Sequence, residues 1–324
     1  MAIMLVVLGH SGVSEPLFQW IYSFHMPLFF FVSGIFFKPM AHWGGYMRHL
    51  RIKKLYFPFV VNTFLFICFT PLLFKLHLTL THYDSWQSWL QSILLTIRFR
   101  VGAIDLLGQY WFLPVMFFAN GILLLVVRVV HRRLYQLLIF SCIFVLGYTL
   151  SDYGHFNKPY DLERAMYYSA FIYIGWISKD IVIHGFNHME QKELASLIAT
   201  SLIISILCTW LMSTQTFRAL SFFVAALSGI VLFCSLAYLM RNKLALNLFS
   251  YAGKHTLAIF TYHVLIFKLT ELTLSYLGFV TMTSGWHGTY PPNPYFFIYL
   301  STGFLIPLLF VFLKERKNDF YHQS

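Results

Sequence analysis

Runs of about 20 apolar residues recur along the whole chain, and they restrict its fold more than any other feature. A helix of that length crosses roughly 30 Å of hydrocarbon. The runs are continuous, whereas the strands of a membrane barrel alternate apolar and polar residues. We therefore predict an all-α, polytopic integral membrane bundle of about ten transmembrane helices, with apolar segments at 1–21, 22–37, 55–76, 109–130, 134–150, 165–183, 194–212, 219–240, 255–276 and 295–313.

The placement of the basic residues supports this topology. Lys and Arg number 23 against 12 Asp and Glu, and most of them would face the cytoplasm if the N-terminus does. This distribution predicts that both termini are cytoplasmic, and it accounts for the net charge of +11 without a nucleic-acid partner. Only 11% of the residues are charged, and no segment has the composition of a soluble domain. We therefore treat residues 1–324 as a single integral membrane domain.

Several kinds of site have no support in the sequence. The four cysteines lie singly in different apolar runs, without CxxC spacing, so neither a disulfide framework nor a metal site is favoured. The sequence contains no P-loop, GxSxG or HExxH pattern. Nucleotide hydrolysis, serine-hydrolase chemistry and zinc proteolysis are therefore not expected.

Two histidines interrupt the first apolar segments. His10 and His25 flank a short turn that contains Glu15, so two antiparallel helices would bring both rings to one end of the bundle. An imidazole inside a span indicates a proton relay, a ligand site or a catalytic group, or it forms a structural hydrogen bond with a neighbouring helix. Two histidines with a glutamate between them favour a functional role, and we take all three residues as candidate catalytic groups.

A basic run follows the second apolar segment. It contains Arg48, Arg51, Lys53 and Lys54. Such a run fixes topology whatever else it does. The alternative is a cytoplasmic clamp for a phosphorylated cosubstrate, because Arg offers bidentate contacts to phosphate and Lys offers a point charge.

Polar and aromatic residues at two later segments could bind a substrate. Gln109, Tyr110 and Trp111 lie at the predicted outer end of the fourth segment, where the aromatic rings could stack on a sugar or anchor the helix at the interface. His263 lies inside the ninth segment and could be an interior polar group or a structural histidine.

Lys268 and Glu271 are three residues apart in the same ninth segment. Residues at this spacing lie on one face of a helix, so we interpret them as a structural ion pair.

Five sequence blocks carry a resemblance to a known family. The blocks are "MLVVLGH", "YSFHMPLFFFVSGIFFKP", "RHLR", "QYWFLPVMFF" and "YAGKHTLAIFTYHVLIF". In this order they resemble the membrane-bound acyltransferase 3 family, particularly its sugar O-acetyltransferase branch similar to fucose 4-O-acetylase. The block containing "FHMPLFFFVSG" is the most specific. The resemblance implies about ten helices in a bacterial inner membrane and transfer of acetyl from cytoplasmic acetyl-CoA to a hydroxyl of a cell-envelope glycan or lipid-linked sugar.

The resemblance also assigns expectations to individual residues. His10 matches the histidine that ends the family's Arg-x10-His motif, His25 matches the FHxP histidine, and Arg48 with Arg51 matches an RxxR motif implicated in handling the acyl donor. The expected partners are acetyl-CoA as cosubstrate, the sugar acceptor and membrane lipids, with no tightly bound cofactor. The arginine of Arg-x10-His would precede Met1, which, with the short first apolar run, favours a start upstream of Met1.

This chemistry fits the residues. A sugar hydroxyl is a poor nucleophile at neutral pH, and a histidine base can take its proton as it attacks the thioester. We expect His10 to be that base, with Glu15 or His25 orienting the ring. Direct transfer and passage through a protein residue both remain open. The rival function is a proton-coupled transporter or carrier of a sugar-containing solute, which would favour paired inverted repeats that the sequence does not show.

Overall fold

The computed structural model describes residues 1–38, 52–153, 159–214, 217–241, 245–283 and 288–323. Every regular element within these ranges is helical. The α-helices are α1 Ala2–His10, α2 Glu15–Ile35, α3 Phe57–Lys75, α4 Trp86–Ile97, α5 Phe112–Val129, α6 Arg133–Tyr153, α7 Leu162–Ile177, α8 Lys179–His184, α9 Gln191–Ser213, α10 Arg218–Leu239, α11 Ala245–Lys254, α12 Thr256–Tyr276 and α13 Phe296–Gln323.

Seven helices among the described residues are long and apolar enough to cross a membrane. They are Ile52–Lys75, Asp105–Val129, Arg133–Asp152, Gln191–Ser213, Arg218–Leu239, Thr256–Tyr276 and Phe296–Lys317. Each overlaps a segment predicted from the apolar runs. The prediction of an all-α, multi-pass membrane protein is therefore confirmed.

The first predicted segment, 1–21, was wrong in its extent. Helix α1 ends at His10 and α2 begins at Glu15. Gly12 has a φ of +89°, and a Cβ placed there would lie 2.0 Å from the side-chain nitrogen of Asn293, so only glycine fits this turn. Pro16 then suits the first turn of α2, where its missing N–H would have no helical partner. The turn predicted between His10 and His25 is present, but it spans residues 11–14, and Glu15, which was predicted to lie in it, is the first residue of α2.

The segment 165–183 forms two helices instead of one. Ser178 separates α7 from α8, and its hydroxyl donates to the carbonyl of Ile174 at 2.6 Å. Serines that bond back in the same way lie inside continuous helices, as Ser201 does in α9, so this bond does not by itself end α7. The interruption coincides with three consecutive polar residues, Ser178, Lys179 and Asp180.

The chain forms two compact units. The first contains Met1–Phe18, Val61–Tyr110 and Met240–Ser324, and in it α1 packs against α12 and α13. Helix α1 is apolar all round, with Ile3, Leu5, Val6 and Val7 buried. A short helix of this composition has no polar face for solvent, which explains why it is enclosed by its neighbours. The single domain expected over residues 1–324 stays a prediction.

The second unit contains Gln19–Val60 and Trp111–Leu239. Its core is aromatic: Phe30 stacks on Tyr168 with ring centroids 4.2 Å apart. Beside this stack, α2 and α7 approach at two glycines. A Cβ added to Gly34 would lie 2.0 Å from the carbonyl oxygen of Ile172, and one added to Gly175 would lie 2.0 Å from that of Phe31. Small residues at such crossings let membrane helices pack through their backbones.

Candidate active site

The partly buried ring of His10 lies at the end of α1 and is held by a backbone carbonyl. Its Nδ1 atom is 2.7 Å from the carbonyl oxygen of Gly288. A carbonyl oxygen can only accept, so this contact assigns the ring proton to Nδ1 of the neutral imidazole. The basic lone pair is then on Nε2. The bond fixes both the tautomer and the orientation of the ring.

The imidazole of His263 on α12 lies beside that of His10. The two ring centroids are 5.5 Å apart. The side chain of His263 is 0% exposed, and its Nδ1 donates to the carbonyls of Ile259 and Phe260, each at 3.0 Å. Its Nε2 is therefore an acceptor in the neutral ring, and this buried atom has no hydrogen-bond partner among the described residues.

Gln109 presents a second buried acceptor that lacks a partner. Its Nε2 donates to the carbonyl of Phe260 at 3.3 Å, and its Oε1 has no partner in the described structure. The Phe260 carbonyl thus orients both Gln109 and His263. We call Gln109 Oε1 and His263 Nε2 the acceptor pair. An unsatisfied buried acceptor costs about 1–3 kcal/mol, so both atoms are suited to hydroxyl groups of a ligand.

Tyr110 and Trp111 have different surroundings. Tyr110 is 1% exposed, its hydroxyl shares a hydrogen bond of 2.6 Å with Thr261, and its ring stacks on Phe260 at 5.7 Å. Trp111 belongs to the second unit, where the guanidinium carbon of Arg164 lies 4.8 Å from the centre of its ring. The sugar contacts predicted for these two residues stay predictions.

The ion pair predicted between Lys268 and Glu271 is present and reaches beyond α12. Lys268 Nζ donates a hydrogen bond to Glu271 Oε2 and another to the carbonyl of Thr283, the latter at 2.7 Å. Glu271 Oε1 accepts the backbone N–H of Thr283 at 2.8 Å and its hydroxyl at 2.7 Å. Glu271 Oε2 accepts the hydroxyl of Tyr290 at 2.7 Å. The pair is therefore bonded to the segment that connects α12 to α13.

His25 and Glu15 lie on α2. The His25 ring is buried in the second unit, where its Nδ1 donates to the carbonyl of Ile21 at 2.8 Å and its edge meets the ring of Tyr22 at 4.6 Å. Glu15 is exposed in the first turn of α2. Their predicted role in orienting His10 stays a prediction. Sequence reasoning missed Gly288, because a backbone carbonyl carries no side-chain signal.

Part of the predicted donor site can be placed. Arg48 and Arg51 lie outside the described residues, whereas Lys53 and Lys54 are exposed. Their contact with a phosphorylated donor stays a prediction. Among the described residues, no group of three or more His, Cys, Asp or Glu side chains could hold a metal ion.

Comparison with known proteins identifies the family. The model of the acyltransferase 3 family, described as an acyltransferase domain, matches residues 1–312. No curated protein and no solved structure matches the chain. The family match spans nearly all of the 324 residues and includes every residue of the candidate site described above. The chain therefore belongs to the acyltransferase 3 family and is an acyltransferase.

Proposed function

We propose that this acyltransferase is a sugar O-acetyltransferase. It moves an acetyl group from cytoplasmic acetyl-CoA to a hydroxyl of a cell-envelope glycan or lipid-linked sugar. The observation that carries the proposal is the contact of 2.7 Å between His10 Nδ1 and the Gly288 carbonyl. It supports a neutral imidazole whose Nε2 is the basic atom, which is the form that general-base catalysis of alcohol attack requires.

The proposed reaction uses His10 twice. Its Nε2 takes the proton of the acceptor hydroxyl as the oxygen attacks the thioester carbonyl carbon. The carbon–sulfur bond then breaks, and the departing thiolate receives that proton from the imidazolium. The Gly288 carbonyl stabilises the imidazolium between these steps, because its oxygen faces Nδ1–H. If the acetyl group first passes to a protein residue, the same base serves the second transfer.

The acceptor pair supports a polyhydroxylated acceptor. Gln109 Oε1 and His263 Nε2 are buried acceptors without partners, and the His263 ring is 5.5 Å from that of His10. A sugar offers several hydroxyl donors close together, so hydroxyls next to the reacting one can satisfy these atoms. We include Tyr110 in this substrate region and Glu15 in the catalytic group as an orienting residue, and the roles expected of Trp111 and His25 from the sequence stay predictions.

The remaining features of the proposal concern the membrane and the donor. We propose ten spans with both termini in the cytoplasm of a bacterial cell, in the inner membrane, where lipids surround the bundle. The basic residues Arg48, Arg51, Lys53 and Lys54 would then lie on the cytoplasmic side and bind the phosphates of acetyl-CoA.

A transfer assay tests the proposal. Purified protein is incubated with acetyl-CoA labelled in the acetyl group and with a candidate glycan, and label in the glycan is measured. We expect the wild type to transfer acetyl and His10→Ala to lose this activity. His188 is exposed, so His188→Ala serves as the control and should retain transfer. Solute uptake into vesicles without transfer would instead establish a carrier. Mass spectrometry of the envelope glycans with and without the gene identifies the acceptor.

A further inference from the structure

The segment connecting α12 to α13, residues 277–295, is fixed at two described places. Thr283 is hydrogen-bonded to both Lys268 and Glu271, and the hydroxyl of Tyr290 donates a hydrogen bond to Glu271. Between these two anchors lies Gly288, whose carbonyl faces His10 Nδ1. The backbone N–H of Tyr290 also donates to the His10 carbonyl at 3.4 Å. The Lys268–Glu271 ion pair and the His10 imidazole are therefore both hydrogen-bonded to residues of this connecting segment.

The burial of the ion pair calls for an explanation beyond helix stability. Lys268 is 0% exposed and Glu271 is 2% exposed, and both lie on a helix long and apolar enough to span a membrane. Charged groups inside a span are costly, and an apolar pair of similar size is often as stable as a buried ion pair. What an apolar pair cannot supply is the set of hydrogen bonds to Thr283 and Tyr290.

We propose that Lys268 and Glu271 are positioning residues that hold the connecting segment so that the Gly288 carbonyl meets His10 Nδ1. This inference rests on the proposed role of His10 as the base. Neither charged residue takes part in the bond changes of the transfer. Their effect on the reaction passes through the backbone of the segment that they anchor.

The hydrogen bond from Tyr290 to Glu271 is the contact that a substitution can remove with the least change to its surroundings. Burial and the adjacent Glu271 carboxylate raise the pKa of Tyr290, so its hydroxyl stays protonated and donates. Its ring stacks on Tyr299 with centroids 4.6 Å apart and packs on Phe267 at 6.1 Å. Tyr290→Phe therefore removes one hydrogen bond to a charged group and retains the ring contacts.

The first test compares Tyr290→Phe with Tyr299→Phe. Tyr299 belongs to the same ring cluster, but its hydroxyl does not donate to Glu271. We expect Tyr290→Phe to lower kcat about tenfold with KM for acetyl-CoA unchanged, and Tyr299→Phe to leave both constants near the wild-type values. Equal kcat values for Tyr290→Phe and the wild type would overturn the proposal.

The second test separates positioning from stability. Glu271→Gln alone leaves the Lys268 charge buried without its partner, so we expect poor folding. The double variant Lys268→Met, Glu271→Leu removes both charges and retains an apolar helix, so we expect it to fold. A purely structural pair predicts that the double variant is active. Positioning residues predict a folded protein whose kcat is at least tenfold lower.

A spectroscopic readout accompanies the kinetics. In protein labelled with ¹⁵N-histidine, solid-state NMR reports which ring nitrogen of His10 carries the proton, with His10→Ala used to identify the signal. We expect Nδ1–H in the wild type and a mixture of tautomers in the double variant. An unchanged His10 signal in an equally active double variant would refute the positioning role.

The two proposals fail in different ways. If the wild type transfers acetyl and His10→Ala does as well, the proposed base and the positioning role are both wrong. If transfer requires His10 but either Tyr290→Phe or the folded double variant retains the wild-type kcat, only the positioning role is wrong. If the double variant does not fold, the comparison of Tyr290→Phe with Tyr299→Phe decides.

Discussion

The Nδ1 atom of His10 and the carbonyl oxygen of Gly288 lie 2.7 Å apart, although 278 positions separate the two residues in the chain. The connecting segment brings them together, and Gly288 has a φ of +97°, a backbone conformation that other residues adopt at a cost. The Gly288 peptide plane, whose geometry glycine permits, therefore helps to orient the proposed base.

Replacing Gly288 tests this dependence. A Cβ at Gly288 meets no described atom within 4 Å, so Gly288→Ala introduces backbone strain of about 1–2 kcal/mol without a steric clash. We expect the backbone to shift, the carbonyl to leave Nδ1, and kcat to fall about tenfold or more. The measurement is steady-state acetyl transfer, with thermal unfolding in detergent to quantify the strain.

Gly278→Ala is the matched control for that variant. Gly278 lies in the same connecting segment, has a φ of +79°, and also meets no described atom within 4 Å. It shares the strain, but the carbonyl that faces His10 Nδ1 belongs to Gly288. Equal losses of kcat in the two variants would show that strain in the segment, and not the Gly288 carbonyl, controls activity.

The acceptor pair should matter more for substrate binding than for stability. His263→Phe and Gln109→Met each remove a buried acceptor without a described partner, but each also removes a donor that is bonded to a backbone carbonyl. The two effects oppose each other, so the free energy of unfolding should stay within about 1 kcal/mol of the wild-type value. Each variant should raise KM for the glycan about 2-fold to 12-fold, the value of one ordinary hydrogen bond.

Tyr110→Phe provides the reference for stability in this experiment. It removes a hydroxyl that is satisfied by Thr261 at 2.6 Å, so the free energy of unfolding should fall by about 1 kcal/mol. A similar loss in Gln109→Met would mean that the bond from its Nε2 to the Phe260 carbonyl outweighs the cost of the unpaired Oε1. An unchanged KM for the glycan in both His263→Phe and Gln109→Met would remove the acceptor pair from the substrate site.

The exposed lysines at the start of the third predicted span should affect the donor alone. Exposed charges contribute about 0.2–1 kcal/mol each, so the double variant Lys53→Gln, Lys54→Gln should raise KM for acetyl-CoA a few-fold with kcat unchanged. The rise should shrink at high salt because the interaction is screened. Lys192→Gln, another exposed lysine, is the control. A lowered kcat with unchanged KM would argue against a donor site here.

Replacing the glycines at which α2 and α7 cross, Gly34 and Gly175, should lower the stability of the protein strongly. Gly34→Ala and Gly175→Ala each place a methyl group 2.0 Å from a backbone oxygen, and we expect destabilisation of about 3 kcal/mol or more. Gly121, inside α5, meets no described atom within 4 Å, so Gly121→Ala should stabilise by about 0.5–1 kcal/mol. Thermal unfolding of the three variants in detergent measures the difference, and a stable Gly34→Ala protein would contradict the close crossing.

Apolar runs predicted the long helices well, because a span needs continuous apolar residues over a fixed length. The segment 194–212 corresponds to α9 at Gln191–Ser213, and 255–276 corresponds to α12 at Thr256–Tyr276. The bounds of the apolar segments were wrong at two interruptions, one at Ser178 and one at Gly12. Each lies beside a few polar residues, such as Lys179 and Asp180, that were too few to divide a segment defined by its average apolar character.

The candidate site was predicted only in part. A histidine inside an apolar run was enough to single out His10 and His263, because buried titratable groups are costly and rare there. The group that holds His10 could not be predicted, since the Gly288 carbonyl is backbone and its approach depends on tertiary folding. The Lys268–Glu271 pair was predicted from its spacing, but its hydrogen bonds to Thr283 and Tyr290 join residues that lie outside the helices and whose approach depends on tertiary folding.

At Gly34 and Gly175 the backbones of α2 and α7 pack directly against each other, without side chains between them. Helices separated by flexible side chains can slide or roll as those side chains change rotamer, whereas these two can do neither without a collision of main-chain atoms. We therefore expect the two helices to move as one rigid body during turnover. His25, which lies on α2, should keep a fixed distance from the crossing at Gly34 and Gly175.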